Sequence, residues 1–426
     1  MDILIKNCNL IAMSESRELY EENIDILISN NKITKIDRNI ETKVDKIIDA
    51  SSKIVMPGLI NTHAHIGMSI FRETIDGYKL KEWLEQKIWP MEDKLTEEDI
   101  YMATILSSIE MIKTGTTTIN DMYFYPEKII KAALEMGIRM QTTRTLMNIQ
   151  KDGSARISEL NRLIEEYKDK YNTIGFNVGI HGLYTTDAEY VKKCVDFAEQ
   201  NNLVVHMHFC ENTEEVLDIE NKYNKKPIEV LKELILNTKT ILAHSVVLNK
   251  EDIDELSDMN ISISHCPISN LKLGCGIANI NYMLEKGINI SLGTDGQGSG
   301  SNLDMFEVMK FTALLQKGIE EKPEIIDAYE VLKMATINGA KALGLENTIG
   351  SIDVGKNADI IIIDLCAEVT QPINNVFASL VYNVKGTNVE TSIIDGKIVM
   401  ENRKLTALVD EKQIFNKAKE IIERIK

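Results

Sequence analysis

The sequence predicts an α/β chain: a closed (β/α)8 TIM barrel over residues 57–348, and a small β-sandwich-like domain assembled from both chain ends, 1–56 and 349–426. Three observations predict it. Eight short β-rich runs alternate with segments of helical spacing. Parallel strands require crossovers, so this alternation indicates parallel βα units, and eight such units close a barrel. The two ends instead carry alternating runs with hairpin turns, each too few for a stable sheet alone, so they are expected to pair with one another. A doubly wound open sheet is the alternative for the same units.

Taken in order, IDILIS (24–29) and KITKID (32–37) alternate about the Asn30-Asn31 turn. The barrel strands are KIVMPGLINTHAH (53–65), GTTTIND (115–121), RMQTTRTL (139–146), IGFNVGIHGL (174–183), LVVHMHFCE (203–211), TILAHSV (240–246), ISISHCP (261–267) and INISLGTD (288–295). Between them, Thr96 is placed to cap a helix whose Ile105, Leu106, Ile109 and Ile112 fall at helical spacing, and Gly115 ends it. Pro126 suits a first helical turn and Gly137 its stop. Asp187 is placed to cap the helix through Ala198, and Gly287 to terminate the one carrying Tyr282, Met283 and Leu284. GKNADIIIIDL and VETSIIDGKIVM return as strands, with Asp395-Gly396 as a hairpin turn, and Asp410 to Lys426 reads as a helix.

Composition narrows the function. With 44% apolar and 27% charged residues, the 426-residue chain suits a soluble globular protein. Its net charge of −17 repels phosphate backbones and anionic lipid, so nucleic acid and membrane partners are not expected. No apolar run approaches a membrane span, and the opening MDILIKNCNLIAMSES lacks a charged-then-apolar leader. The six cysteines are scattered without a Cys-x-x-Cys pair, which suggests neither a disulfide framework nor a thiolate zinc site. A cytoplasmic small-molecule enzyme is the expectation.

All seven histidines lie within the strand runs or at their C-terminal ends: His63, His65, His181, His206, His208, His244 and His265. A lone histidine is more often a packed core residue than a ligand. Confinement of the whole set to the C-terminal rim, where barrels build active sites, favours a site. In a strand, residues i and i+2 share a face, so both imidazoles of His63-Ala64-His65 can reach one ion. By itself His-x-His is a weak signal. A third imidazole on strand five and Asp295 at the end of strand eight complete a set that suits Zn²⁺ or Fe²⁺ and poorly suits Mg²⁺ or Ca²⁺.

MPGLINTHAH, HFCE, AHS, SHCPISNLKLG and LGTDG, in this order and spacing, resemble the amidohydrolase superfamily, and VGKNADIIIID extends the likeness into the end domain. The chain looks closest to the branch of 5-methylthioadenosine/S-adenosylhomocysteine deaminases, related to cytosine and guanine deaminases and triazine hydrolases. The resemblance implies one divalent metal, Zn²⁺ ahead of Fe²⁺, on His63, His65, His208 and Asp295. Members with two metals have a lysine at the end of strand four. Here Gly179-Ile180-His181-Gly182 stands there, which argues for one. The other zinc deaminase pattern, His-x-Glu with Pro-Cys-x-x-Cys, is absent from the sequence.

A metal at this rim would lower the pKa of water toward ~7 and supply hydroxide. Attack on an amidine-type ring carbon requires protonation of the neighbouring ring nitrogen, and Glu211, three residues past His208, is the candidate shuttle. Its bland alternative is a carboxylate at a helix entry before Asn212-Thr213. His244 is expected to hydrogen-bond the hydroxide, and Asp295 to accept the water proton as well as ligate. In WLEQKIWPMED the resemblance implies that Glu92 contacts the ribose hydroxyls, a sound match for a cis-diol. It implies that His181 contacts the nucleoside. It also implies that Arg144 and Arg156 hold the amino acid carboxylate of S-adenosylhomocysteine, for which guanidinium is well suited. Arg156 has a bland alternative as a solvated helix residue in SARISELNRLIEEY.

Other features carry less. His206 and His265 read as supporting or packing residues and Met136 and Met140 as core, while Trp83 and Trp89 either wall an aromatic pocket or, as is commoner for tryptophan, are simply buried. Gly296-Gln297-Gly298-Ser299-Gly300 lacks both recognised phosphate-loop spacings and reads as a flexible loop. Arg72-Glu73 stands where relatives often have Arg-Gly, a departure near a substrate-facing loop. The expected activity is hydrolytic deamination of adenosine-type nucleosides (S-adenosylhomocysteine, 5-methylthioadenosine, adenosine or 5′-deoxyadenosine) to the inosine analogue and ammonia. The same fold acting on guanine, cytosine or a chlorotriazine is the runner-up, and a non-catalytic barrel with a structural metal is a reading of another class. The partner expected is a small nucleoside, with no nucleic acid and no membrane, on a homo-oligomer in which Arg144 serves its own or a neighbouring subunit's site.

Overall fold

The computed structural model describes residues 1–149, 151–235 and 237–426. The chain opens with β1 (Ile3–Leu10), β2 (Glu21–Ser29), β3 (Lys32–Asp37), β4 (Lys46–Asp49) and β5 (Ile54–Pro57). Asn30 takes the left-handed conformation, φ 57°, that the tight turn between β2 and β3 demands.

The barrel follows. One parallel ladder holds β6 (Leu59–Ala64), β7 (Thr116–Asp121), β8 (Arg139–Thr142) and β9 (Ile174–Phe176). A second holds β10 (Val178–Ile180), β11 (Val205–Phe209), β12 (Thr240–His244), β13 (Ile261–His265) and β14 (Asn289–Leu292). β9 and β10 are two halves of the fourth expected strand, interrupted at Asn177, whose side chain donates to Asn120 of β7. The parallel bridge between Leu146 and Ile180 joins the ladders on one side. On the other, Asp295 N donates to His63 O at 3.0 Å and Thr62 Oγ1 to Leu292 O at 2.9 Å, closing the ring. Helices complete the crossovers. Thr96 and Asp99 make a capping box on the helix Glu97–Lys113, and Asp187 caps Ala188–Asn201 through Tyr190 N.

The chain then returns as β15 (Ile360–Ile363), β16 (Val389–Ile394), β17 (Lys397–Glu401) and β18 (Lys404–Leu405), and ends in the helix Glu411–Ile425. β15 pairs antiparallel with both β5 and β16, so strands from the two ends form one nine-stranded sheet. It encloses its own core of Ile3, Ile5, Ile26, Ile28, Ile360 and Ile362, separate from the barrel core. Arg139 at the start of β8 ties the two cores together, with Nε 2.6 Å from Asp359 and Nη2 3.4 Å from Asp395.

The run 53–65 is two strands rather than the single barrel strand expected. Pro57-Gly58 divides it, and Ile54–Pro57 joins the end sheet while Leu59–Ala64 enters the barrel. Proline cannot donate into a ladder, and at Gly58 a Cβ would stand 2.1 Å from Thr117, so the crossing admits only glycine. Among the described residues, no helix is long and apolar enough to cross a membrane.

Candidate metal and catalytic centre

Strand ends converge on one point at the C-terminal rim. Ligand atoms of His63, His65 and Asp295 lie within 4.8 Å of one another, as do those of His63, His208 and His244, and those of Glu211, His244 and Asp295. Asp295 (φ 61°) and His244 (φ 71°) hold left-handed backbone, which β strands do not supply and which turns their side chains into the rim.

Supporting contacts fix the ring orientations. His65 Nδ1 donates to Met122 O at 2.6 Å and His208 Nδ1 to His181 O at 2.5 Å, since a carbonyl can only accept. With both Nδ1 atoms committed, each Nε2 is the nitrogen left to face an ion, and the two stand 3.2 Å apart. His63 Nδ1 is engaged by His206 Nε2 at 2.8 Å, and its buried Nε2 has no hydrogen-bond partner among the described residues. Asp295 Oδ1 lies 3.4 Å from His63 Nε2 and 3.2 Å from His65 Nε2. Its other oxygen accepts from Ser269 Oγ and Ser299 Oγ, each at 2.6 Å. Opposed imidazole nitrogens beside a carboxylate are a donor set that fits a divalent cation.

The electrostatics agree. Burial pushes His63 down to about 3 and His208 well below its ordinary range. Burial also opposes charge on His65, but Asp295 outweighs it and holds that ring at about 9, so the site calls for one positive charge between Asp295 and the imidazoles. Asp295 stays well below the usual carboxylate range despite burial, through the close approach of the His63 and His65 rings. Glu211 is pushed well above that range by burial and then by the charge of Asp295. Its Oε2 lies 3.7 Å from His244 Nε2, and His244 Nδ1 is held by Asn270 Oδ1 at 2.8 Å.

A cavity above this point is lined by His65, Glu92, His181, His208, Glu211, His244 and Asp295, with Trp83 and Trp89 in its wall. His181 Nδ1 is 3.0 Å from Thr185 Oγ1, and burial lowers the ring to about 3. An adjoining cavity shares Trp89, Glu92, Phe124 and Met147 and is lined by Arg144 and Arg156. Arg144 thus faces the cavity of its own chain, with Nε on Glu159 at 2.9 Å. Arg156 is a buried residue rather than a solvated one, with Nε 2.7 Å from Asp152 and Nη1 3.0 Å from Thr145 O.

Two expectations need revision and four residues were missed. The 296–300 segment is a buried helical turn, Gln297–Gly300, not a flexible loop. Its glycines admit close neighbours, since a Cβ on Gly300 would stand 2.3 Å from Thr294 O. Arg72 pairs with Glu110 at the surface, away from the cavity. Ser269 and Asn270 lie inside SHCPISN, where the motif gave the signal but no role. Tyr123, which donates to Glu92, carries no sequence signal. Glu215 stands three residues after Asn212, a helix-start spacing that was legible.

Residues 54–399 match the family model described as the amidohydrolase family. The chain is 42% identical over 437 residues to a 5-methylthioadenosine/S-adenosylhomocysteine deaminase of Thermoanaerobacter pseudethanolicus, covering 100% of each. It is 38% identical to a 5′-deoxyadenosine deaminase of Methanosarcina acetivorans, covering 100% of this chain and 98% of the relative. Among solved structures, an adenosine deaminase from Xanthomonas campestris with bound zinc superposes with a TM-score of 0.95 at 28% identity, covering 100% of this chain and 98% of that one.

Proposed function

The chain belongs to the amidohydrolase family, and on that premise we propose that it is a metal-dependent hydrolytic deaminase of adenosine-type nucleosides: S-adenosylhomocysteine, 5-methylthioadenosine or 5′-deoxyadenosine. The observation that carries this reading is the buried Glu211, its Oε2 3.7 Å from His244, beside the His63, His65, His208 and Asp295 donor set and beneath a cavity that also presents Glu92.

His63, His65, His208 and Asp295 would hold the metal. A divalent ion there lowers the pKa of water and supplies hydroxide near neutral pH. The chain's own groups do the rest. The Nδ1–H of His244 is committed to Asn270, so its Nε2 accepts from the attacking oxygen and aims it at the ring carbon. Glu211 donates its proton to the neighbouring ring nitrogen as the C–O bond forms. Asp295 Oδ1 takes the proton of the water, because Oδ2 is occupied by Ser269 and Ser299. That proton passes to the exocyclic amine, the C–N bond breaks and ammonia leaves, while the oxygen's second proton, facing His244, returns to Glu211 and leaves the neutral inosine analogue. Glu92 accepts from the ribose diol, His181 borders the nucleoside, and Arg144 with Arg156 receives a carboxylate on the 5′ substituent.

The same reading places a homo-oligomer in the cytoplasm acting on free nucleosides; a net charge of −17 disfavours a nucleic acid substrate. Ultraviolet-monitored deamination by zinc-loaded protein tests it, on a panel of S-adenosylhomocysteine, methylthioadenosine, adenosine, 5′-deoxyadenosine, guanine and cytosine. Turnover concentrated on the 5′-substituted adenosines is expected. Turnover on a free base alone would remove the roles given to Glu92, Arg144 and Arg156.

A further inference from the structure

We infer that Glu215 is a positioning residue for Glu211, holding the turn that aims the proton donor; the inference rests on the donor role proposed for Glu211. Glu215 is 5% exposed and lies in the first turn of the helix Thr213–Tyr223. Its Oε2 accepts from Glu211 N at 2.6 Å and its Oε1 from Cys210 N at 3.2 Å. Asn212 Oδ1 in turn accepts from Glu215 N at 2.8 Å, anchoring the carboxylate to the helix start.

What the carboxylate holds is a strained turn. Cys210 adopts φ 48°, a left-handed conformation that is strained for a residue with a Cβ. Its carbonyl accepts from Val246 N and Val247 N, both at 2.9 Å, so the turn also ties to the segment that follows His244. The carboxylate meets its two N–H groups with one oxygen each. A glutamine offers one oxygen and presents an NH₂ to the second donor, so only a carboxylate satisfies both. Without it, the Cys210 and Glu211 N–H groups lose their acceptors, the left-handed turn keeps only its carbonyl ties to Val246 and Val247, and Glu211 is released from its place 3.7 Å from His244.

The test compares wild type, E215Q, E211Q and the double variant on the best adenosine analogue, with zinc content measured for each. E215Q is expected to lower kcat about 10- to 100-fold, the scale of a displaced catalytic group, while KM moves less than about threefold and zinc content holds. In the E211Q background the same change is expected to cost less than about threefold, because the group it positions is already gone. Equal losses in both backgrounds, a wild-type kcat in E215Q, or loss of zinc would each overturn the inference. If E215Q does not fold, E215D decides, since it keeps the charge but falls a methylene short of both N–H groups, and the same background dependence is required of it. Absence of deamination by wild type across the panel would instead overturn the proposed function.

Discussion

Tyr123 Oη donates to Glu92 Oε1 at 2.5 Å, joining the end of β7 to the short helix Trp89–Glu92 across the cavity wall. One carboxylate oxygen is thereby committed and one left for a substrate diol. Burial and the charge of Glu92 hold the phenol well above its ordinary pKa, so it remains a donor throughout the working range.

This pair sets a pH dependence. Burial pushes Glu92 up to about 7, and donation from Tyr123 opposes that rise. A diol needs the ionised form as acceptor, so kcat/KM on ribosides should fall as pH drops through about 7. Tyr123→Phe removes that hydrogen bond, moves the limb to higher pH, and should cost about tenfold or more at pH 7, the scale of a hydrogen bond to a charged group. Profiles of wild type, Y123F and E92Q check this. In an E92Q background the Tyr123→Phe change should no longer move the limb, and a Y123F limb that does not move with Glu92 present would refute the coupling.

The barrel and its rim were legible because periodicity and histidine placement are local. His63, His65, His208, Glu211, His244 and Asp295 sit in short motifs at strand ends, and a barrel gathers strand ends by topology. What stayed hidden depends on distance in the chain. Tyr123 meets Glu92 across 31 positions, and Arg139 meets Asp395 across 256. Nothing in either local sequence marks the partner. The buried turn at Gln297–Gly300 was read as flexible because its glycines signal freedom in sequence but serve close packing in space.

Arg144 and Arg156 separate in the structure, which gives a substrate-ranking prediction. Arg144 Nη1 is buried with no hydrogen-bond partner among the described residues, and its guanidinium lies 5.1 Å from the Phe124 ring centre. It therefore has donor capacity left for a carboxylate, whereas Arg156 already serves Asp152 and Thr145 O. Arg144→Met should lower kcat/KM on S-adenosylhomocysteine about 10- to 100-fold and leave 5′-deoxyadenosine, which lacks a carboxylate, within about threefold. Equal losses on both substrates would remove the clamp.

Arg139 should matter for stability alone. Its guanidinium is 6% exposed and neutralises Asp359 and Asp395 at the end of the barrel opposite the rim. Arg139→Ala leaves two buried carboxylates without their cation, a loss of about 3–5 kcal/mol. The denaturation midpoint should fall clearly, while kcat per folded, zinc-loaded molecule stays at the wild-type value. A large drop in kcat at unchanged midpoint would contradict this division of labour.

Gly300 tests whether the rim depends on close backbone packing. A Cβ there would stand 2.3 Å from Thr294 O, a backbone atom that cannot rotate away. Thr294 is itself pinned, its Oγ1 accepting from Asn61 Nδ2 at 2.7 Å and its N donating to Asn61 Oδ1 at 3.2 Å. Relief must then displace the adjoining Asp295, or Ser299, whose hydroxyl holds Asp295 Oδ2. Gly300→Ala should weaken zinc binding about 10- to 100-fold, as loss of a ligand's supporting contacts does, with circular dichroism unchanged. Competition against a chelator measures it. Gly318 lies within the helix Met305–Glu320 with no atom within 4 Å of a built Cβ, so Gly318→Ala should leave zinc affinity unchanged and raise stability by about 0.5–1 kcal/mol. Wild-type zinc affinity in G300A would show that the turn yields without moving the ligand.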